Sequence, residues 1–130
     1  MRSDSKGFTL IELLLVVVII GILVSIVVPK FANGKERAMI ASMKSDLHNL
    51  LTAQEGFFSN GNLYYNGALP AAVIPYSLSP NVTVTLSNVT PAGWAATATH
   101  TQSTRTCVIF VGSGGPLAPA TRDGEVACTP

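Results

Sequence analysis

From Phe8 to Val28 the chain reads FTLIELLLVVVIIGILVSIVV, and its only ionisable residue is Glu12. Thr9 and Ser25 are its only other polar side chains. As a helix at about 1.5 Å per residue, this stretch rises roughly 31 Å, close to the hydrocarbon thickness of a bilayer. A buried core helix has the same composition. A chain of 130 residues, however, has no core large enough to surround one this long. The stretch therefore predicts a membrane span. A removable secretory signal fits less well. Arg2 and Lys6 supply a basic start, but the apolar core exceeds the usual roughly 7–15 residues and no small-x-small site follows it.

Composition narrows the remaining possibilities. Hydrophobic residues make up 48% and charged residues 12%, with a mean hydropathy of +0.42. That balance is too apolar for an ordinary soluble domain and excludes intrinsic disorder. A formal net charge of +1 argues against a nucleic-acid surface built on bulk charge. Two cysteines exclude a four-cysteine zinc site and a disulfide-dense scaffold. His48 and His100 lie far apart and form no ligand cluster. Asp123 and Glu125 flank Gly124, but two carboxylates are too few for calcium, which takes six to eight oxygens. Ser, His and Asp all occur, yet nothing places them as a triad, and no G-x-S-x-G is present. No cofactor is implied.

Beyond Pro29 the pattern changes. Met39 or Ile40, Met43, Leu47, Leu50 or Leu51, and Phe57 or Phe58 recur at three- and four-residue steps. They form one apolar stripe on a helix, with Lys44, Asp46, His48 and Asn49 mostly off it. Asn60-Gly61 is a stop signal, so the helix should end near Ser59. Pro29 predicts a bend rather than a break, because it lacks an N–H and clashes with the preceding turn. The span (8–28) and the amphipathic stretch (29–58) then form one long helix. Residues 59–80, rich in Asn, Gly, Pro, Ala and Tyr, read as a connecting loop. Residues 81–130 carry strand signals. Val82, Val84 and Leu86 alternate with Thr83, Thr85 and Ser87. Trp94, Ala96 and Ala98 alternate with Ala95, Thr97 and Thr99 after a Pro91-Ala92-Gly93 turn. Thr106 to Val111 is a third run. The fold class is therefore α+β: a long N-terminal helix whose stripe covers a small antiparallel sheet.

Glu12 carries the strongest functional signal. A carboxylate in a span costs roughly 2.5–3.5 kcal/mol on insertion scales, and the span itself offers no partner. Either Glu12 is protonated near the interface, or another chain supplies the partner. At this point Lys6-Gly7-Phe8-Thr9-Leu10-Ile11-Glu12-Leu13-Leu14 resembles the processing signal of type IV pilins and type II secretion pseudopilins. The match is close over residues 6 to about 31 and looser to about Tyr65.

The resemblance implies a type IV pilin-like fold and several roles. A prepilin peptidase would cut between Gly7 and Phe8, removing residues 1–7 as a leader, and would methylate Phe8. Glu12 would meet the amino group of Phe8 on a neighbouring copy during assembly. Gly21 and Pro29 match helix-weakening positions where related filaments lose helicity. Cys107 and Cys128 resemble a C-terminal disulfide region; if they are bonded, that part lies on the oxidising side and the N-terminus stays cytoplasmic. After the leader is lost, Lys30, Lys35, Arg37, Lys44, Arg105 and Arg122 balance Glu12, Glu36, Asp46, Glu55, Asp123 and Glu125. Packing of copies is then unopposed by net charge. The implied role is a non-enzymatic subunit, waiting in the inner membrane and polymerising with other copies and minor pilins on an assembly platform into a surface pilus. A periplasmic pseudopilin filament and a membrane-tethered binding domain that never polymerises are the alternatives. Asn81-Val82-Thr83 and Asn88-Val89-Thr90 have the sequon shape, which is frequent by chance.

Overall fold

The computed structural model describes residues 7–130. Of the expected leader, only Gly7 falls within them; Arg2, Asp4 and Lys6 lie outside the described residues. One helix, α1 (Leu10–Gly61), precedes four strands: β1 (Val82–Thr90), β2 (Gly93–His100), β3 (Thr106–Gly112) and β4 (Ala127–Cys128). The strands form one antiparallel sheet in the order β1-β2-β3-β4. This is the expected α+β class: one long N-terminal helix and a small antiparallel sheet. The chain divides into two compact units, one up to Lys35 and one from Glu36 to Pro130, and α1 contributes to both.

Helix α1 is uninterrupted at Pro29. It ends at Gly61 rather than near Ser59, and the reason is its cap. Asn62 takes a left-handed φ of 53°, and its N–H donates to the Phe58 carbonyl at 2.7 Å. Asn tolerates this conformation better than most residues because its short amide makes local hydrogen bonds. Asn60, the first half of the expected stop signal, instead stays helical and donates its side-chain amide to the Gly56 carbonyl.

In the second unit, α1 buries Met39, Met43, Leu47, Leu50 and Ala53. Their spacing places them on one face at 3.6 residues per turn. Met43, Leu47, Leu50 and Ala53 cluster with Val82 and Val84 of β1, Trp94, Ala96 and Ala98 of β2, and Cys107 and Ile109 of β3. These strand residues alternate, so they share the inner face of the pleat. Fully burying each large side chain contributes about 1.5–3 kcal/mol. Trp94, Met43, Leu47, Leu50, Ile74 and Ile109 are the large apolar members with almost no exposure.

The helix also holds the irregular connection through two buried polar side chains. The Asp46 carboxylate accepts the Ser79 N–H at 2.9 Å and the Ser79 hydroxyl at 2.8 Å. Gln54 brackets Tyr65, donating to its carbonyl at 3.0 Å and accepting its N–H at 2.8 Å. The loop leaving the helix is thereby tied near its start and near its end. Asp46 was expected mostly off the stripe, yet it is only 2% exposed. It follows Met43 by three residues and precedes Leu50 by four, so its position lies at the border of the buried face. Near the β2–β3 turn, Glu36 accepts the Ser103 hydroxyl at 2.6 Å and faces Arg105 at 3.5 Å. Both members of that ion pair are about a third exposed, so it adds less than about 1 kcal/mol.

The outer face of the sheet differs from the expected alternation. Thr83 and Thr99 are exposed and paired across β1 and β2, as the pattern predicts. Ala95 is fully buried, because the segment between β3 and β4 folds back over that half of the face. There Ala95, Val108, Phe110 and Ala120 form a second cluster, with Leu117 and Ala127 against it. Asp123 fastens this segment by accepting the Gly112 N–H at 2.9 Å, and the Gly124 N–H donates to the Phe110 carbonyl at 2.8 Å. A Cys107–Cys128 disulfide then joins β3 to β4, a strand the sequence pattern did not reveal. Closing a loop of this size stabilises a fold by roughly 3 kcal/mol in the chain-entropy picture. The turn between β1 and β2 occupies Pro91 and Ala92, and Gly93 already belongs to β2. Any side chain at Gly93 would strike the backbone of Val111 and Ser113.

Two measurements test these contacts. Asp46→Ala leaves the Ser79 N–H without its charged acceptor and should cost about 2–4 kcal/mol in urea unfolding followed by Trp94 fluorescence. Asp46→Asn retains one acceptor and should cost less. Equal stability of all three proteins would show that Asp46 does not hold the loop. The second test uses pH. Burial, with a smaller push from Asp46, raises the Tyr76 phenol far above its ordinary value, and the hydroxyl is buried without a hydrogen-bond partner. Burial and the Glu55 carboxylate also raise Tyr64. A group whose folded pKa is raised leaves stability intact below the unfolded value, here about 10, and drains it above that. The fold should therefore weaken from about pH 10 upward. Tyr76→Phe should resist that alkaline loss and be near neutral in stability at pH 7, as judged by near-ultraviolet circular dichroism.

Candidate functional site

Among the described residues of the first unit, the helix has no packing partner. Phe8 is 88% exposed, Leu10 82% and Phe31 73%, and the large apolar side chains between them are all open. The most apolar part of α1 has a mean hydropathy of 3.2, and none of it is buried. It is long and apolar enough to cross a membrane. A helix that is apolar on all sides requires cover on all sides, from lipid or from other protein.

At the start of this helix, Thr9 and Glu12 cap one another. The Thr9 N–H and the Thr9 hydroxyl both donate to one Glu12 carboxylate oxygen, each at 2.9 Å. The Glu12 N–H donates back to the Thr9 hydroxyl oxygen at 3.3 Å. This reciprocal arrangement is a capping box, with Thr9 as the capping residue and Glu12 three positions on. It corrects the expectation that the span holds nothing for Glu12. The first turn of any helix has unpaired N–H groups, and a glutamate at this spacing reaches back to one of them. The signal was present in the sequence as Thr9-Leu10-Ile11-Glu12. Phe8 and Gly7 lie just outside the helix and are exposed. A peptide bond between them is thus accessible, one residue before the cap.

Gly21 and Pro29 both lie inside α1. A Cβ at Gly21 would meet nothing within 4 Å, so no packing within the chain calls for a glycine there. Gly costs about 1 kcal/mol relative to Ala in a helix. Pro29 leaves the Ser25 carbonyl without its usual donor. The Ser25 hydroxyl donates to the Ile22 carbonyl at 2.7 Å, a bond that leaves the Ser25 carbonyl itself unserved. Two weak points therefore bracket a stretch of β-branched residues, Ile22, Val24, Ile26 and Val27.

The remaining candidates are spread through the second unit. Cys107 and Cys128 are joined. Asp123 and Glu125 sit near each other in sequence but are engaged, Asp123 with the Gly112 N–H and Glu125 with Arg122 at 3.8 Å. Among the described residues, no three His, Cys, Asp or Glu side chains gather into a possible metal site. His48 is exposed, and the His100 ring accepts the Gln102 N–H. Of the two sequons, Asn88 donates its side-chain amide to the Gly114 carbonyl at an irregularity of β1, while Asn81 precedes that strand in a left-handed turn.

The comparisons with known proteins agree with this geometry. Residues 2–28 match the family model described as the prokaryotic N-terminal methylation motif. The type IV major pilin protein PilA of Myxococcus xanthus is 47% identical over 60 residues, 46% of this chain and 27% of that protein. The type IV major fimbrial protein FimA of Dichelobacter nodosus is 43% identical over 61 residues, 47% of this chain and 39% of that protein. A type II secretion system core protein G of Pectobacterium carotovorum is 39% identical over 59 residues, 45% of this chain and 38% of that protein. The matches span less than half the length of these relatives. This chain thus carries the N-terminal methylation motif and, over about half of its length, is similar to type IV major pilin and fimbrial proteins and to a type II secretion system core protein G.

Proposed function

We propose that this chain is a prepilin, the structural subunit of a type IV pilus. A prepilin peptidase cuts between Gly7 and Phe8 and methylates the new amino group of Phe8. Before assembly the subunit spans the inner membrane once, with its N-terminus in the cytoplasm. It then polymerises with other copies and with minor pilins on an assembly platform, through the Phe8 to Val28 helices. It needs no cofactor and catalyses no reaction of its own. The observation that carries this reading is the wholly exposed apolar helix with its single carboxylate at a set distance from Gly7 and Phe8.

The capping box refines the role of Glu12. Cleavage before Phe8 leaves the Thr9 amide as a peptide N–H, so the box survives processing. The new ammonium group at a helix N-terminus opposes the helix dipole, and the nearby carboxylate offsets it. In a filament, the Phe8 amine of a neighbour would join a carboxylate that already accepts two hydrogen bonds. Such a pair chiefly sets register between copies. The Gly21 to Pro29 stretch is where the helix would lose its hydrogen bonds during packing.

A type II secretion pseudopilin is the second reading, supported by the similarity to core protein G. The pilin is preferred because the higher identities are to major pilin and fimbrial proteins.

The test is mass spectrometry of material sheared from intact cells. A chain beginning at methylated Phe8, two hydrogens lighter than its reduced form, is the expected species. Processed protein confined to the membrane fraction would favour the pseudopilin. A chain still starting upstream of Phe8, in cells that contain the peptidase, would sink both. Replacing Glu12 with Leu should leave membrane insertion intact and reduce filaments at least tenfold by electron microscopy. A tethered monomer would tolerate that change.

A further inference from the structure

A shallow groove runs along the first unit where the apolar run gives way to charge. Val27, Lys30, Phe31, Gly34 and Lys35 line it. At about 100° per residue, Gly34 and Val27 lie along its floor, while Lys30 and Lys35 stand on opposite rims about 140° apart. Gly34 has open space where a side chain would be. Phe31, 73% exposed, lies between the floor and the Lys35 rim. Among the described residues, neither lysine has a carboxylate within 4.0 Å. Glu36, the nearest acid in sequence, is occupied by Ser103 and Arg105.

We infer that this groove binds the headgroup of an anionic phospholipid, its phosphodiester seated over Gly34 between the Lys30 and Lys35 ammonium groups. The inference rests on the membrane-spanning part of the proposed function. Val28 ends the apolar run, and Gly34 lies about 9 Å further along the helix, within reach of the headgroup layer. Phe31 then falls at the boundary between chains and headgroups, where aromatic rings are favoured. Two unpaired cations facing one concave site match a single negative phosphodiester better than a zwitterionic headgroup, whose own ammonium they repel. Lysine stems reach along apolar surface while their charged ends stay in the polar layer. Each basic side chain near an anionic surface contributes measurably to such binding, and salt weakens it. The lipid is in the leaflet on the far side of the membrane from Phe8. It holds the subunit at that surface and must be released when the helix is withdrawn into a filament.

The experiment uses the full chain reconstituted in vesicles of phosphatidylcholine with about 20% phosphatidylglycerol, which gives the surface a negative potential. Spin-labelled phosphatidylglycerol and spin-labelled phosphatidylcholine are compared by electron paramagnetic resonance, and flotation checks that the chain is in the membrane. The expected result is an association constant about threefold higher for phosphatidylglycerol. The double variant Lys30→Gln/Lys35→Gln should bring the two lipids to parity. Gly34→Leu keeps both charges but fills the floor of the groove, and should remove at least half of the preference. Inorganic phosphate at equal ionic strength should release no more lipid than chloride does. Equal restriction of both lipids by the unmodified chain would overturn the inference and leave the span intact. An unchanged preference in either variant would overturn it as well. A chain that fails to float with vesicles would remove the span itself.

Discussion

The structure depends on how one helix meets two environments. From Met39 to Gln54, α1 is apolar on a single stripe, and that stripe is spent on the core around Trp94. From Leu10 to Phe31 the same helix is apolar on every side, and none of its large apolar side chains is covered by the described residues. Water cannot be the resting environment of that surface, since each large apolar side chain left in it forgoes about 1.5–3 kcal/mol. Lipid tails or apolar helices of other protein are the kinds of surface that can cover it, because apolar burial is non-directional.

Polar groups in and around the apolar helix carry the specificity that apolar packing lacks. Glu12 is not a bare charge in this chain, since Thr9 supplies two donors to it. A carboxylate that is already hydrogen-bonded enters a membrane at lower cost than an unpaired one. It still has room for a cation, because each carboxylate oxygen can accept more than one bond and its second oxygen makes no hydrogen bond to a described residue. The second unit uses the same device. Asp46 and Gln54 are buried and fully engaged, and they fix a loop that has little regular structure of its own.

Much of the fold was legible in sequence because it is written in local periodicity. The continuous apolar run, the stripe from Met39 onward and the alternation in β1 each repeat at the spacing of their element. The Thr9-to-Glu12 cap was legible too, as a short motif, although its carboxylate invites attention as a buried charge first. The buried state of Asp46 was not. Its partner, Ser79, lies 33 residues away in an irregular loop, and no local pattern marks such a pair. The same holds for the cover over Ala95, which comes from a segment rich in Gly and Pro without a strand signal.

The apolar run, the motif around Gly7 and Phe8, the position of Glu12 and the amphipathic stripe follow from the linear pattern of residues. Each of these is set by residues within a turn or two of one another, where geometry follows from the backbone alone. Tertiary contacts turn Asp46 inward, cover half the outer sheet face and set Cys128 in a fourth strand beside Cys107. Those outcomes join distant parts of the chain. The free energy of such contacts comes from burial and pairing, which a linear pattern does not record.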